Sequence, residues 1–152
     1  MKPWLKNSLA FGLLALVALA VYSNALHSGF MMDDHWMFQE DRIAYLRANA
    51  ESLIFRKPIP PPLQGYEMDL SYRPLSQLLP MASYLIFKNN FLAYHSLNLL
   101  LFILCAFMIF YFLKTLFKDF KIALTAALLF AAHPINSLMV NYISAHIFSV
   151  QL

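Results

Sequence analysis

GFMMDDHW, residues 29–36, marks the point at which a long apolar run gives way to charge. The chain has no Asp, Glu, Lys or Arg between Lys6 and Asp33, and Asp33 is followed at once by a second acid, Asp34. Adjacent carboxylates at the mouth of a membrane segment are costly where water is scarce, because burial and mutual repulsion both disfavour the charged form. The pair is either a solvated marker of the membrane edge or a pair of acids kept there for chemistry, and by itself it leaves both interpretations open.

The composition around this stretch is that of an integral membrane protein. Hydrophobic residues make up 61% and charged residues 12% of the 152 residues, and the mean hydropathy is +0.58. These values lie outside the range of an ordinary soluble domain. The formal net charge of +3 is small and spread along the chain, so nothing indicates a nucleic-acid-binding surface. The single cysteine, Cys105, lies inside an apolar run and is interpreted as a packing residue rather than part of a disulfide framework.

The residues before the acid pair predict a first transmembrane helix at about 7–27. The apolar run Leu9–Tyr22 and its flanks supply the ~20 residues that a spanning helix needs. A cleaved signal peptide is the alternative, because the basic start, the short apolar centre and the small residues up to Ala25 also fit one. The apolar stretch continues past Ala25, which favours the membrane span.

The residues after the acid pair, 28–94, are polar enough to form a loop outside the bilayer. Within this loop, 41–55 has apolar residues at helical spacing, which predicts an amphipathic helix lying on the membrane surface. The stripe consists of Ile43, Leu46, Ala50, Leu53 and Ile54. Four prolines between 58 and 62 then prevent a regular helix. Pro74 to Phe87 predicts a second, juxtamembrane helix that is too short to span easily.

Further transmembrane helices are predicted at about 95–114 and 121–134, with a fourth that begins at about 140 and runs to 152. His133-Pro134 divides the last apolar stretch, because proline cannot donate to the helical ladder. The expected fold is an all-α membrane protein with a single membrane domain over 1–152. It has about four transmembrane helices, the last of them incomplete, and external juxtamembrane helices. Because the last helix is cut short, we expect the chain to be a fragment of a longer protein.

Lysine residues predict the orientation. Lys114, Lys118 and Lys121 surround the turn between the second and third spans, with Asp119 as the only acid among them. Together with Lys2 and Lys6, they place this turn and the N-terminus in the cytoplasm, since positive residues favour that side. The loop 28–94 then faces outward.

Ionisable residues from distant segments converge on that outer side. They are the acid pair, Arg73, His95 and His133, and such residues at membrane depth are functional candidates by default. Each taken singly also has a structural explanation: Arg73 reaches lipid headgroups, and the histidines are satisfied at the interface. The spacing matches no strong metal-ligand motif, although two acids with nearby histidines leave a divalent metal ion open.

Four short motifs occur in the order and spacing of one group of enzymes. They are Tyr22-Ser23-Asn24 through Gly29-Phe30 to Asp33-Asp34-His35, then Tyr72-Arg73-Pro74-Leu75, then Tyr94-His95-x-x-Asn98-Leu99-Leu100, then Leu129-Phe130-Ala131-x-His133-Pro134-Ile135. On these motifs the chain resembles the N-terminal part of the polytopic GT-C class of glycosyltransferases. Within that class it is most similar to the branch of transmembrane, tetratricopeptide-containing O-mannosyltransferases and their bacterial relatives.

The resemblance implies an enzyme that passes a sugar from a polyprenyl-phosphate carrier to an acceptor hydroxyl, on a protein or glycan, at the outer or lumenal face. It implies that Asp33 or Asp34 is the catalytic base. Arg73, His95, His133 and His35 become candidates for binding the donor phosphate. A base must take the proton of the attacking hydroxyl, whereas a phosphate leaves as a stable anion and needs no acid, unlike the leaving group in glycoside hydrolysis.

The implied setting is a multi-pass protein of a bacterial inner membrane with a cytoplasmic N-terminus. Its expected partners are membrane lipid, the lipid-linked sugar and the acceptor, with no nucleic acid.

The sequence departs from the family pattern after His133. Asn136 and Leu138 stand where the family commonly has a histidine and an acid, and Ala145-His146 replaces a Gly-Arg pair. Two rivals therefore stay open: a non-catalytic transport or assembly subunit, and an inactive truncated paralogue. A transporter would place polar groups near mid-span; here they gather at one edge, which favours the enzyme.

Overall fold

The computed structural model describes residues 2–31, 33–55 and 74–143, and within these ranges the secondary structure is entirely helical. The helices are α1 (Pro3–Tyr22), α2 (Asp33–Met37), α3 (Glu40–Ala48), α4 (Ala50–Phe55), α5 (Pro74–Phe87), α6 (Phe91–Phe117), α7 (Phe120–Ala132) and α8 (Ser137–Asn141). Short 3₁₀ turns follow α1 at Ser23–His27 and α7 at Pro134–Asn136. The expectation of an all-α membrane protein is confirmed.

Helices α1, α6 and α7 pack side by side with alternating direction. Pro3 occupies the first turn of α1, where its missing N–H has no intrahelical partner to lose. Asn90 caps α6 by accepting from the Ala93 N–H at 3.2 Å. Asp119 caps α7 by accepting from the N–H groups of Lys121 and Ile122 at 2.7 and 3.1 Å.

Small residues allow the three helices to approach closely. Ala123, Ala127 and Ala131 recur every four residues along one face of α7 and are completely buried. They belong to one core cluster with Ala10 and Leu14 of α1 and Ala106 and Phe110 of α6. Helices in lipid associate through such tight packing rather than through the hydrophobic effect, because the surrounding tails are equally apolar.

The two ends of this bundle differ in the residues and elements that they carry. One end, which we call the lysine end, carries Lys2, Lys6, Lys114, Lys118 and Lys121, and the Lys114 ammonium donates to Asn7 Oδ1 at 2.7 Å across α6 and α1. The other end, the loop end, holds the 3₁₀ turn after α1, helices α2 to α5, the start of α6 and α8.

Length and composition make α1 with its following turn (Trp4–His27) and α6 (Phe91–Phe117) capable of crossing a membrane. The α7 segment joins Pro134–Asn141 through a bend of 53°, so the pair is a broken span or a re-entrant loop. Most of the predicted fourth span, residues 144–152, lies outside the described residues.

Helices α3 and α4 pack against α5. The amphipathic stretch 41–55 is divided at Asn49, whose side-chain amide donates to the Tyr45 carbonyl at 2.9 Å and competes with the helical ladder. Ile43, Leu46 and Leu53 of the stripe are buried within the protein, whereas Ile54 is exposed. The stripe therefore serves protein packing as well as any contact with the membrane surface. Helix α5 spans the same residues as the short helix expected from the sequence.

Cys105 lies exposed on the surface of α6. The interpretation of this cysteine as an interior packing residue is therefore wrong, because the helix presents it away from the bundle core. Periodicity did not reveal this, since α6 is apolar on every side.

Candidate functional site at the loop end

Asp34 is the centre of the polar groups at the loop end. Its side chain is completely buried, and Oδ2 accepts two backbone hydrogen bonds, from Met31 N–H and from Ile143 N–H, both at 3.1 Å. The first bond fixes the entry of α2. The second connects that entry to the residue just beyond α8, at a sequence separation of 109. One carboxylate oxygen thus joins two distant parts of the chain.

His95 lies on α6 and is also completely buried. Its Nε2 lies 3.1 Å from the Ser28 carbonyl and its Nδ1 lies 3.4 Å from the Val140 carbonyl. Carbonyl oxygens only accept, so each contact requires an N–H on the ring. A neutral imidazole has one N–H and donates to one of the two carbonyls, whereas the imidazolium donates to both.

Asn98 follows His95 by three residues and so lies on the same face of α6. It is 3% exposed, and its Nδ2 donates to the carbonyls of Tyr142 and Ile143. Its Oδ1 is buried and makes no hydrogen bond within the described ranges. Asp34, His95 and Asn98 therefore all bind the backbone of one segment, Val140–Ile143.

His133 belongs to a second set of contacts, at the corner between α7 and α8. Its carbonyl accepts from the buried Tyr22 hydroxyl at 2.8 Å, and its ring Nδ1 accepts from Ile135 N–H at 3.2 Å. Accepting at Nδ1 assigns the proton of the neutral ring to Nε2. Asn136 completes the corner by donating from Nδ2 to the Phe130 carbonyl at 2.6 Å.

Of the other predicted site residues, the structure describes the surroundings of one, the helix position of another and nothing of the third. His35 is exposed on α2, and its ring meets the Phe30 ring edge-on with centroids 5.8 Å apart. Asp33 is the first residue of α2. Arg73 lies outside the described residues. Asp34, His95 and His133 all lie at the loop end, and Asp34 and His95 meet on the same four-residue segment.

A separate groove of about 560 Å³ lies between α3 and α5. It is lined by Glu40, Ile43, Ala44, Arg47, Ala48, Tyr84 and Leu85. The Tyr84 hydroxyl donates to Glu40 Oε1 at 3.2 Å across it. Burial raises the pKa of the Tyr84 phenol, and the hydrogen bond to Glu40 and the negative charge of Glu40 raise it further.

No set of three or more His, Cys, Asp or Glu side chains in the described ranges is arranged to hold a metal ion. Asp34 Oδ2 and the His95 ring contact backbone groups, and these contacts hold the chain in place.

Among curated proteins, the chain is similar to protein O-mannosyl-transferase TMTC3 of Homo sapiens, with 31% identity over 121 residues, 80% of this chain and 13% of the human protein. The mouse (Mus musculus) protein of the same name is 30% identical over 125 residues, 82% of this chain and 14% of the mouse protein. The chain is related to a glycosyltransferase-like family of membrane proteins. The matched part of the chain spans less than one sixth of the length of either relative. No family model matches the chain, and no solved structure does.

The region of similarity includes the acid pair and His95. A continuous match of 121 residues in a chain of 152 must include Asp33, Asp34 and His95, wherever it begins. Asp33, Asp34 and His95 therefore lie within the part of the chain that is similar to the O-mannosyl-transferases.

Two residues at the loop-end contacts, Asn98 and Tyr22, and one buried residue of α3, Arg42, were not among the predicted site residues. Asn98 and Tyr22 occur in the quoted motifs, yet neither is ionisable in the usual range, so neither attracted a role. Arg42 is 4% exposed, although an arginine in a polar loop is usually exposed. Its spacing of four from Leu46 places both on one helix face, and this was the available signal that it faces inward.

Proposed function

We propose that this chain forms part of a membrane glycosyltransferase of the GT-C class. It moves a sugar from a polyprenyl-phosphate carrier to an acceptor hydroxyl at the loop end, which faces the outer or lumenal side. The observation that carries the proposal is the similarity to two proteins named O-mannosyl-transferases, over a stretch that includes the acid pair. The polar groups at the loop end, next to an apolar bundle, fit a reaction between a lipid-borne donor and a water-borne acceptor.

The chemistry assigns one role to an acid of the pair. The acceptor oxygen attacks the anomeric carbon and forms the new C–O bond while its proton passes to a carboxylate. The bond from the anomeric carbon to the phosphate oxygen breaks, and its electrons leave with the polyprenyl phosphate. Groups that donate hydrogen bonds or carry positive charge stabilise the charge that develops on that phosphate.

Asp33 is the better candidate for the base. A general base must come within hydrogen-bond distance of the hydroxyl proton, and the Asp34 carboxylate is completely buried with Oδ2 bound to two backbone N–H groups. Asp33 begins the same helix and lies at the same end of the bundle. Arg73, His35 and His133 are the proposed donors to the phosphate.

The test measures transfer of mannose from a polyprenyl-phosphate mannose to a serine- and threonine-rich peptide, with the protein in lipid nanodiscs. Asp33→Asn should lower kcat by about 100-fold or more, the size of a lost general base. Asp41→Asn is the matched control, because Asp41 is exposed on α3. Unchanged kcat in Asp33→Asn would refute its role as the base. Absence of both transfer and donor binding by the unaltered protein would refute the proposed function.

A further inference from the structure

Three buried side chains hold the backbone at the end of α8, and we call Asp34, His95 and Asn98 the backbone clamp. Asp34 accepts from Ile143 N–H, His95 contacts the Val140 carbonyl, and Asn98 donates to the carbonyls of Tyr142 and Ile143. All four of these contacts are to main-chain atoms. The clamp therefore fixes the path of the segment Val140–Ile143 whatever side chains that segment carries.

The same clamp also holds the loop in front of α2. Asp34 Oδ2 accepts from Met31 N–H, and His95 Nε2 contacts the Ser28 carbonyl. Two segments more than a hundred residues apart in sequence, 28–34 and 140–143, are thus bound to the same two side chains. Because both side chains are buried, water cannot readily replace the hydrogen bonds that they make, and losing them is costly.

We propose that Asp34, His95 and Asn98 are positioning residues that make the start of α2 and the end of α8 move as one unit. This inference rests on the proposed function in one respect: the group that the unit positions is Asp33, the base. Asp34 and His95 are then neither base nor phosphate ligand. Asp34 Oδ2 and both nitrogens of the His95 ring lie against backbone groups, and a substrate would have to displace those contacts to reach them.

The clamp explains why His95 and Asn98 are three residues apart and why an acid follows Asp33 directly. Successive helix residues do not face the same way. Asp34, the second acid of the pair, therefore serves the interior, which leaves Asp33 before it for the proposed reaction. Charge supports the arrangement as well, since a carboxylate accepts stronger hydrogen bonds from N–H groups than a neutral oxygen does.

Hydrogen exchange measured by mass spectrometry on the protein in nanodiscs tests the coupling without any reference to activity. His95→Ala and Asn98→Ala should each speed exchange about tenfold or more in peptides that cover 140–143, and His95→Ala also in peptides that cover 28–34. The middle of α7 should be unchanged. Ser96→Ala is the control, because Ser96 is exposed on the same turn of α6. Unchanged exchange at 140–143 in both clamp variants would overturn the inference while leaving the base assignment to its own test.

A pair of substitutions at Asp34 distinguishes positioning from proton transfer. Asp34→Asn keeps an oxygen that accepts from both N–H groups, so kcat should fall by less than about tenfold. Asp34→Ala removes the acceptor, and kcat should fall by about 100-fold with little change in KM, the effect of a misplaced reacting group. If Asp34→Ala does not fold, the Asn variant still decides: a loss as large as that of Asp33→Asn, with unchanged exchange at 140–143, would make Asp34 the base and overturn the inference.

Discussion

Tyr22 is the residue that connects α1 to the corner at the end of α7. Its ring meets the Phe102 ring edge-on with centroids 5.3 Å apart, and its hydroxyl donates to the His133 carbonyl at 2.8 Å. Aromatic packing and a main-chain hydrogen bond therefore act through one side chain that is 2% exposed.

Tyr22→Phe keeps the packing and removes the donor, so it should lower the free energy of unfolding by about 1 kcal/mol, because the part-buried hydrogen bond to the His133 carbonyl is lost. Denaturant unfolding in detergent micelles measures the change. Tyr111→Phe is the control, since Tyr111 is 56% exposed on α6. Equal stability of the two variants would show that the hydrogen bond adds nothing.

Tyr84 gives a prediction about alkaline pH. Burial first, and then Glu40, raise the pKa of its phenol above the ordinary value of 10.0. The folded protein therefore holds this proton more tightly than the unfolded chain. The resulting stability is fully present below about pH 10 and is lost as the pH rises through the raised pKa. Tyr84→Phe should flatten the fall in melting temperature above about pH 10, and an unaltered fall would contradict the assignment.

At the residue scale, the sequence predicted that the candidate polar groups gather at the loop end, but it did not predict which backbone groups they contact. Asp34, His95 and His133 were selected because ionisable residues are rare in apolar surroundings. Their bonds go to backbone groups of Ser28, Met31, Ile135, Val140 and Ile143. Every residue has such groups, so no pattern of side chains reveals which of them a buried acid or histidine will meet.

At the element scale, α5 and α6 each end at a lysine in the left-handed region, with φ of 49° at Lys88 and 54° at Lys118. This region is strained for a residue with a Cβ and is the usual place of glycine at a helix end. Because the sequence has no glycine at either position, it did not indicate where α5 and α6 end.

Lys88→Gly should therefore raise the free energy of unfolding by up to about 1 kcal/mol, because glycine relieves the left-handed strain. Asn89→Gly is the contrasting control. Asn89 has no positive φ, so glycine there should be neutral or destabilising through the entropy of the unfolded chain. Thermal unfolding of both variants in the same detergent gives the comparison, and a destabilised Lys88→Gly would contradict the strain argument.

The alanine face of α7 makes a second prediction at this scale. Ala127 is completely buried where α7 meets α1 and α6, so Ala127→Leu overfills the interface and should destabilise the bundle by about 1–3 kcal/mol or more. Ala132→Leu adds the same atoms at an exposed position and should be tolerated. Resistance to SDS-induced unfolding measures both, and equal resistance would show that the helices are not in close contact there.

The elements themselves were largely predictable, since hydropathy and proline set their approximate bounds. The division of 41–55 into α3 and α4 was not, because it depends on how the Asn49 amide competes with the ladder at Tyr45. The start of α6 at Phe91 precedes the expected start near 95, because Asn90 supplies a cap.

At the scale of the whole molecule, the separation of charge predicts the orientation in the membrane. The lysine end should lie in the cytoplasm and the loop end outside. In a Cys105→Ala background, Asn89→Cys should react with a membrane-impermeant maleimide on intact cells, whereas Lys118→Cys should react only after permeabilisation. The reverse pattern would invert the proposed topology and move the acid pair to the cytoplasmic side.

The corner at His133 has a mechanical consequence. Straightening the 53° bend would strand the His133 and Phe130 carbonyls that Tyr22 and Asn136 now satisfy, and in hydrocarbon each would cost several kcal/mol. The two helical pieces therefore form a stiff elbow. A shift of α7 along its axis would therefore carry α8 with it, and the angle between the two helices would stay the same.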